Sequence, residues 1–261
     1  MAARRATQEG ALIVGVSGSQ GSGKSTLCRM LEMLLRESHG LHAATLSLDD
    51  LYLTRAERAA LARTVHPLFA TRGVPGTHNV ALGLSLLGAV RAGRAPLKLP
   101  RFDKAKDDRA PEAEWHRFAE PLDVLLCEGW CLGARPQAED VLAAPINRLE
   151  AEDDPDGIWR RHVNAALAGP YRALFEEPDC LIMLAPPGFE AVLGWRQLQE
   201  AKLRERTGLG MSEAQVERFV MHYERLTRDL LADLPCRADV VIALAEDHAV
   251  RTVRFAAQTN E

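Results

Sequence analysis

Short apolar runs alternate along the chain with longer segments in which apolar residues recur at helical spacing. The first run, residues 11–16, is rich in β-branched side chains and ends in glycines, which is typical of a buried parallel strand. After it, leucine and methionine recur at helical spacing as far as Gly40, where we expect a glycine C-cap. The chain therefore begins with a strand, a glycine-rich turn and a helix.

The same alternation continues to residue 255. Further strands are predicted at residues 43–48, 98–102, 122–127, 180–184, 239–244 and 250–255. Helices are predicted at residues 80–91, 189–206 and 212–231. Another helix is predicted to begin at Ile158 and to run for roughly 15–20 residues. This order predicts an α/β protein with a mainly parallel sheet, helices on both faces and ligands at the carboxyl ends of the strands.

Capping signals mark several helix starts. Thr54 with Glu57, and Ser212 with Gln215, have the spacing of a capping box. Asn79 can cap the helix at residues 80–91. The proline- and acid-rich residues 151–157 predict an exposed loop.

Composition and charge exclude several classes of protein. Apolar residues make up 47 % of the chain and charged residues 26 %, as in ordinary globular domains. The formal charge of −4 gives no field that would attract nucleic acid or an anionic membrane. No apolar run is long enough for a membrane span or a signal-peptide core, so we expect a cytoplasmic protein. The five cysteines contain no CxxC pair and predict buried thiols, and the oligomeric state stays open.

Residues 18–25 (GSQGSGKS) match the phosphate-binding pattern GxxxxGK[ST] and lie between a predicted strand and a predicted helix. The glycines allow backbone N–H groups to converge on phosphate oxygens, and the helix N-terminus adds its positive dipole end. Lys24 can reach the β- and γ-phosphates, and Ser25 can bind Mg²⁺. A dinucleotide fingerprint fails at Thr26, and no guanine-recognition NKxD segment is present. We therefore expect ATP and Mg²⁺, with the nucleotide held by Gly18, Ser19, Gln20, Gly21, Ser22, Gly23, Lys24, Ser25 and Thr26.

Acidic residues follow two of the predicted strands. Asp49 and Asp50 come after the strand at residues 43–48, and Glu128 comes after the strand at residues 122–127. Phosphorylation of a hydroxyl needs a carboxylate that accepts the hydroxyl proton, and one of the two aspartates can serve as this base. Glu128 takes the place of the acid that holds Mg²⁺, directly or through water. The candidate metal ligands are Ser25, Asp49 and Glu128.

Basic residues crowd the segment at residues 98–109, which fits either an anionic acceptor or a solvated charged loop. Further arginines follow Pro186 and Pro187 on a predicted helix. This helix can act as a lid that excludes water, and Arg196 is its candidate cation for the transferring phosphoryl group.

Several motifs together resemble the D-glycerate 3-kinase family, which is related to phosphoribulokinase, uridine kinase and pantothenate kinase. The resemblance extends from about residue 15 to residue 244 and includes Phe102-Asp103-Lys104 with Asp108-Arg109. Its other motifs are residues 47–52 (SLDDLY), 72–79 (RGVPGTHN), 128–133 (EGWCLG), 195–200 (WRQLQE), 210–212 (GMS) and 219–223 (FVMHY). One departure is Asn79, where the family usually has aspartate.

The resemblance implies a three-layer P-loop NTPase fold and transfer of phosphate from ATP to D-glycerate, giving 3-phosphoglycerate. By motif, it implies that Asp49 is the base, that Glu128 is the Mg²⁺ partner and that Arg196 is a lid arginine. The acceptor residues it implies are Asp50, Tyr52, Arg72, His78, Phe102, Asp103, Lys104 and Arg109. We expect residues 1–261 to form a single P-loop kinase domain with an acceptor-binding insertion at about 53–120 and a helical lid at about 186–232.

Two alternatives stay open. The same site can act on another hydroxylated acceptor, such as pantothenate, a nucleoside or a different sugar acid. A second class is an ATP-binding regulatory or assembly protein, in which the phosphate loop drives a conformational switch. The apparent acceptor segment, residues 72–78 with residues 102–109, argues against a pure switch because a switch does not need it.

Overall fold

A six-stranded sheet lies at the centre of the computed structural model, which describes residues 1, 3, 5, 10–208 and 210–256. The strands are β1 (Leu12–Gly18), β2 (Ala43–Ser47), β3 (Leu97–Leu99), β4 (Phe102–Asp103), β5 (Asp108–Arg109), β6 (His116–Phe118), β7 (Val124–Gly129), β8 (Cys180–Ala185), β9 (Val240–Leu244) and β10 (Val250–Phe255). The sheet order is β10-β9-β8-β1-β7-β2, and β10 alone pairs antiparallel within it. The predicted mainly parallel sheet is confirmed.

Helices cover both faces of this sheet. They are α1 (Lys24–His39), α2 (Arg55–Thr64), α3 (Val80–Arg91), α4 (Arg148–Asp153), α5 (Ile158–Ala168), α6 (Pro170–Glu176), α7 (Phe189–Thr207) and α8 (Glu213–Asp233). Leu12 belongs to the same buried cluster as Cys28 of α1, whereas Ile13 belongs to a second cluster with Leu87 of α3 and Leu174 of α6. Because successive side chains of a strand point to opposite faces, these two clusters define the three-layer fold.

The region between β2 and β7 is attached to the carboxyl end of β2. A short 3₁₀ turn, Leu48–Leu51, follows β2, and the Asp50 carboxylate in it accepts the Phe102 N–H of β4 at 2.9 Å. Tyr52 forms an isolated antiparallel bridge with His78, ahead of α3. The β4–β5 hairpin and the start of α3 are thereby held close to the end of a central strand.

The single strand predicted at residues 98–102 is wrong. Leu97–Leu99 pairs with β6, and Phe102–Asp103 pairs with β5, so the segment contributes to two separate hairpins. Pro100 lies between the two strands, and its missing N–H interrupts the ladder. The break turns the chain so that residues 102–109 form a hairpin of their own.

The exposed loop predicted at residues 151–157 is confirmed only at Pro155 and Asp156, which lie exposed in a turn. Residues 151–153 belong to α4, and Asp154 is only 1 % exposed. The Asp154 carboxylate accepts the N–H groups of Trp159 and Arg160 and forms an ion pair with the Arg160 guanidinium at 3.0 Å. The helix from Ile158 ends at Ala168, because Gly169 and Pro170 start a new helix, α6. The ion pair with Arg160 therefore keeps Asp154 buried, although the acidic composition of the segment predicted exposure.

The cysteines differ in exposure. Cys28, Cys127 and Cys131 are buried as predicted, Cys180 is half-buried and Cys236 is exposed at the end of the 3₁₀ turn Leu234–Cys236. Within the described ranges, no helix combines the length and the apolar character needed to cross a bilayer.

Candidate active site

A cleft of about 280 Å³ opens beside the phosphate loop, between the end of β2 and the helices α7 and α8. Ten of the residues predicted for the site line it: Gln20, Gly21, Lys24, Ser25, Asp49, Tyr52, Arg72, Lys104, Glu128 and Arg196. Four further lining residues had no predicted role: Trp130, Gln199, Phe219 and Tyr223. The structure therefore brings together residues from seven separate stretches of the chain.

The phosphate loop connects the end of β1 to the first turn of α1. Gly21 and Gly23 have φ values of 80° and 91°, in the left-handed region that favours glycine. Any side chain at Gly21 would also approach Trp195, because an ideal Cβ there lies 2.9 Å from the Trp195 Cβ. The ammonium group of Lys24 donates to the Ser19 carbonyl at 3.0 Å. Burial lowers the pKa of Lys24, against the opposing charges of Glu128 and Asp49.

Glu128 connects the phosphate loop to β2. One oxygen, Oε1, accepts the Ser25 hydroxyl at 3.0 Å and the Ser47 hydroxyl at 2.9 Å. Glu128 and Ser47 are register partners on the adjacent strands β7 and β2, so the sheet itself sets this contact. A serine hydroxyl and a carboxylate are hard oxygen ligands, and they fit Mg²⁺.

The remaining coordination positions of a magnesium ion would fall to other oxygens. Among the described residues, no group of three or more His, Cys, Asp or Glu side chains is arranged to hold a metal. Ser25 and Glu128 would therefore leave room for phosphate oxygens and water, as Mg²⁺ sites beside phosphates usually do.

Asp49 is a half-buried carboxylate with two partners. Its Oδ1 accepts the Tyr52 hydroxyl at 2.9 Å, and its Oδ2 accepts the Lys104 ammonium at 2.6 Å. Burial alone raises the pKa of Asp49, but the charge and hydrogen bond of Lys104 and the hydrogen bond of Tyr52 outweigh it and lower the pKa. Asp49 is therefore ionised at neutral pH and able to accept a proton from a hydroxyl.

Asp50 points to the β4–β5 hairpin instead of the cleft. Its Oδ1 accepts the Phe102 N–H, as described above. Burial raises the pKa of Asp50 to about 6, and the nearby Asp49 adds to the effect, while the Phe102 N–H opposes it. Its contact anchors the hairpin at the end of β2.

Arg72 is held in place from two sides. The Tyr223 hydroxyl of α8 donates to the Arg72 carbonyl at 3.1 Å, and the Trp130 indole N–H donates to the Gly73 carbonyl at 2.9 Å. Gly73 has φ 144°, and an ideal Cβ there would lie 2.2 Å from the Tyr223 hydroxyl oxygen. Only glycine therefore allows this approach of the Arg72 segment to α8.

His78 lies behind Tyr52, away from the cleft. Its ring stacks on Tyr52 with 4.5 Å between centroids, and its Nδ1 contacts the Tyr171 hydroxyl at 2.6 Å. Burial lowers the pKa of His78 to about 3, although the charge of Asp49 opposes this shift. The neutral imidazole supports the ring that donates to Asp49.

The other predicted acceptor residues shape the hairpin beside the cleft. Phe102 is buried beneath the Arg72 guanidinium, whose Cζ lies 5.4 Å from the ring centroid. The Asp103 carboxylate accepts the N–H groups of Ala105 and Lys106 and so folds the turn that carries Lys104. The Arg109 guanidinium donates to the Tyr52 carbonyl at 2.7 Å. In this structure these three side chains contact the protein and not the cleft.

Arg196 reaches the cleft from α7. Its guanidinium forms an ion pair with Glu200 at 2.8 Å, and its Cζ lies 5.3 Å from the Phe219 ring centroid of α8. A second side chain of the same helix, Gln199, accepts one of its N–H groups at 3.3 Å. These contacts direct the arginine towards the phosphate loop side of the cleft.

Comparisons with known proteins agree with this geometry, although no family model matches the chain. The uncharacterized kinase mug58 of Schizosaccharomyces pombe is 35 % identical over 222 residues, which cover 81 % of this chain and 78 % of that protein. The chloroplastic D-glycerate 3-kinase of Arabidopsis thaliana is 33 % identical over 223 residues, which cover 81 % of this chain and 46 % of that protein. The chain belongs to the D-glycerate 3-kinase family.

A solved structure of the D-glycerate 3-kinase family superposes on nearly the whole chain. D-glycerate 3-kinase from Cryptococcus neoformans is similar with a TM-score of 0.79 and 26 % identity, and the match covers 98 % of this chain and 95 % of that one. The predicted P-loop kinase fold is thereby confirmed. The protein is an ATP-dependent phosphotransferase that acts on a hydroxyl group.

Sequence reasoning assigned no role to Trp130, Gln199, Phe219 or Tyr223, although all four lie within the motifs that resemble the D-glycerate 3-kinase family. The signal that could have found them is their place in those motifs beside Glu128 and Arg196. Aromatic residues at helical spacing usually belong to a core, so spacing alone did not mark Tyr223 as a residue of the cleft.

Proposed function

We propose that the enzyme transfers the γ-phosphoryl group of ATP to a hydroxyl of D-glycerate and forms 3-phosphoglycerate. The observation that carries this proposal is one cleft lined by the phosphate loop, the carboxylate of Asp49 and the guanidinium of Arg72. The phosphate loop suits the phosphates of ATP, and Asp49 can accept the proton of the acceptor hydroxyl. Arg72 can bind a carboxylate of the acceptor. The activity named for the Arabidopsis and Cryptococcus relatives supports D-glycerate as the acceptor.

In the proposed reaction, the acceptor hydroxyl oxygen forms a bond to the γ-phosphorus while the bond to the β,γ-bridging oxygen breaks and ADP leaves. Asp49 accepts the hydroxyl proton at a carboxylate oxygen. Lys24 and Arg196 stabilise the negative charge on the transferring phosphoryl oxygens. Because Lys104 occupies Oδ2 of Asp49 and is 62 % exposed, the acceptor hydroxyl has to displace this ammonium group or share its oxygen.

Magnesium belongs to the proposal as the partner of ATP. Ser25 and Glu128 would hold it, and the ion would neutralise charge on the β- and γ-phosphates. Asp49 is a weaker candidate for a ligand, because Tyr52 and Lys104 already engage both of its oxygens. Ser47 assists by donating to the same Glu128 oxygen as Ser25 and thereby orients the carboxylate.

We further propose that residues 53–120 serve as an acceptor-binding insertion and residues 186–232 as a helical lid within a single kinase domain. The insertion supplies Arg72 and Lys104 to the cleft, and the lid supplies Arg196, Phe219 and Tyr223. The lid helices pack on each other through a small apolar cluster that includes Phe189, Val216 and Val220. The same helices also contribute Trp195 and Tyr223 to the two main core clusters, which anchor them beside the cleft.

A coupled ADP-release assay with MgATP tests the proposal on the purified protein. D-glycerate, L-glycerate, pantothenate, uridine and a blank are compared, and phosphorus NMR then identifies the phosphorylated hydroxyl. We expect turnover of about 1–100 s⁻¹ with D-glycerate and a 3-phosphate product. Turnover restricted to pantothenate or uridine would assign a different acceptor. ADP release that equals the blank for every acceptor would favour the ATP-dependent switch.

Two variants separate the chemistry from the fold. Lys24→Ala and Asp49→Asn are each expected to lower kcat by about 10³-fold, since each removes a group from the proposed transition state. Arg36→Ala is the matched control, because Arg36 is exposed on α1 and, among the residues that the structure describes, its side chain pairs only with its neighbour Glu37. Circular dichroism and melting curves should stay unchanged in the control. Near-normal turnover in Lys24→Ala or Asp49→Asn would remove the corresponding role.

A further inference from the structure

Two arginines beside the cleft share one carboxylate, which no proposed step uses. Arg58 of α2 is 1 % exposed, and its Nη2 donates to the Asp107 carboxylate Oδ2 at 2.6 Å and to the Asp107 carbonyl at 3.0 Å. The other carboxylate oxygen of Asp107 accepts the Arg72 guanidinium. Both guanidinium groups also lie over the Phe102 ring, at 5.7 Å and 5.4 Å from its centroid. Of the two arginines, Arg72 lines the cleft.

The hairpin turn presents Asp107 to both arginines. Asp107 has φ 54°, a left-handed conformation that aspartate, asparagine and glycine adopt more readily than other residues. The same turn is folded by Asp103, which accepts two backbone N–H groups. The position of the carboxylate is therefore set by the hairpin and not by a flexible side chain at the surface.

Arg58 needs this carboxylate. Within the described part of the chain, its Nε and Nη1 are buried and have no hydrogen-bond partner. Burial lowers the pKa of Arg58, and the neighbouring Arg72 lowers it further, while Asp107 acts in the opposite direction. Without Asp107, two guanidinium groups would flank the same ring with no counter-ion between them.

The charges around the arginine pair leave a single positive charge. Arg58 and Arg72 carry two positive charges and share the one negative charge of Asp107, so these three side chains together carry one positive charge. Among the described residues, Arg72 has a hydrogen-bond partner for Nη1 only, so its Nε and Nη2 stay available. Nε and one N–H of Nη2 form the fork that binds a carboxylate with two hydrogen bonds.

We propose that Asp107 is a positioning residue for the acceptor: it fixes the Arg72 guanidinium at the cleft and limits the local charge, so that the site selects a hydroxy acid with one carboxylate. This inference rests on the proposed function and adds a residue that sets its acceptor specificity. A neutral polyol lacks the group that Arg72 would bind. A dicarboxylate brings one negative charge more than the site balances.

Binding and turnover test the inference separately. Calorimetry with a non-hydrolysable ATP analogue and Mg²⁺ gives the Kd of D-glycerate, of neutral glycerol and of the hydroxy dicarboxylate tartronate. Steady-state kinetics give KM and kcat for ATP and D-glycerate. Asp107→Asn and Asp107→Glu are compared with the wild type and with Glu112→Gln, a control on an exposed glutamate that pairs with Lys98.

We expect wild-type binding in the order D-glycerate, tartronate, glycerol. Asp107→Asn should raise the Kd and KM of D-glycerate about tenfold, shift the preference towards tartronate and leave the KM of ATP within twofold. Asp107→Glu should recover part of the D-glycerate affinity because it restores the charge. A merely structural role would instead lower kcat and stability without changing the ratio of the two acceptor affinities, and an unchanged ratio in Asp107→Asn overturns the inference.

The wild-type arm distinguishes this inference from the proposed function. If the wild type binds D-glycerate but releases no ADP, the proposed function is rejected. The Kd values of the variants then still decide the inference. If the wild type binds none of D-glycerate, L-glycerate and pantothenate, the monocarboxylate site itself is rejected. Should Asp107→Asn fail to fold in melting curves, Asp107→Glu decides the outcome: a raised Kd of D-glycerate with an unchanged KM of ATP supports the positioning role, and an unchanged Kd of D-glycerate overturns it.

Discussion

The two ends of the cleft are built in different ways. At the nucleotide end, Lys24 and Ser25 follow β1, Glu128 lies on β7 and Ser47 on β2, and these three strands are neighbours in the parallel sheet. At the acceptor end, Arg72 and Lys104 come from an irregular segment and a hairpin turn, and their segments are held by side chains from the 3₁₀ turn after β2, from the residue after β7 and from α8. The register of a sheet sets the first end, and packing between loops sets the second.

This difference has a functional consequence. Of these strands, β1 and β7 are hydrogen-bonded on both sides and hold their side chains rigidly, so the phosphate-binding end suits chemistry that all P-loop kinases share. Loops and hairpins accept substitutions more easily, so the acceptor end can change its ligand without disturbing the sheet. We therefore expect substitutions at the nucleotide end to lower kcat and those at the acceptor end to raise the KM of the acceptor.

The largest effect is expected at Glu128. Glu128→Gln removes the charge that would face Mg²⁺ and weakens the contacts with Ser25 and Ser47, so kcat should fall by about 10²–10³-fold. A magnesium titration at saturating ATP measures the fall in kcat and the rise in the Mg²⁺ concentration that gives half-maximal activity. Glu37→Gln, at an exposed position on α1, is the control. A kcat within twofold of the wild type in Glu128→Gln would contradict the role of this carboxylate.

A smaller effect is expected from the lid. Arg196→Ala should lower kcat by about 10²-fold, because the cation that faces the transferring phosphoryl group is lost while Lys24 stays in place. Single-turnover measurements separate the chemical step from product release. Lys202→Ala on the exposed side of the same helix should change neither rate. An effect on the KM of ATP alone would make Arg196 a binding residue instead of a catalytic one.

At the acceptor end, Gly73→Ala tests the close approach to Tyr223. The added Cβ would lie 2.2 Å from the Tyr223 hydroxyl at φ 144°, so the segment has to shift. We expect about 2 kcal/mol less stability and a KM for the acceptor raised about tenfold, with the KM of ATP unchanged. Gly88→Ala is the matched control, since an ideal Cβ at Gly88 meets nothing within 4 Å and the residue lies inside α3. Equal behaviour of the two variants would argue against the Tyr223 contact.

The smallest effect at neutral pH is expected at His78. Its contribution to the free energy of unfolding should become visible as the pH falls. The folded-state pKa of His78 is about 3 and the ordinary value is 6.5, so the unfolded chain binds a proton first as the pH falls below 6.5. Stability from the neutral buried ring is therefore present above pH 6.5 and is lost progressively towards pH 3. At pH 5 the loss should reach about 2 kcal/mol.

Urea unfolding of the wild type and of His78→Gln between pH 5 and pH 8 checks this expectation. The variant lacks the titrating group, so its stability should fall less steeply below pH 6.5. Parallel curves for the two proteins would show that another group controls the acid response.

The sequence by itself determined the parts of this protein that depend on near neighbours. The phosphate loop lies within residues 18–25, and its glycines, lysine and serine need only the strand before and the helix after to adopt their geometry. Capping boxes fixed the starts of α2 and α8, and Asn79 fixed the start of α3, because a cap is made by residues three positions apart. The strands of the sheet were predictable in a similar way, because each one is a short run of neighbouring apolar residues.

Only the tertiary structure decided which of the predicted acceptor residues reach the cleft. Arg72 and Lys104 line it. Asp50 instead holds Phe102 of the hairpin, and His78 and Arg109 contact Tyr52. The direction of a charged side chain depends on a partner far along the chain, as the separation of 55 residues between Lys104 and Asp49 illustrates. Such contacts form when distant elements pack, and composition and periodicity contain no record of them.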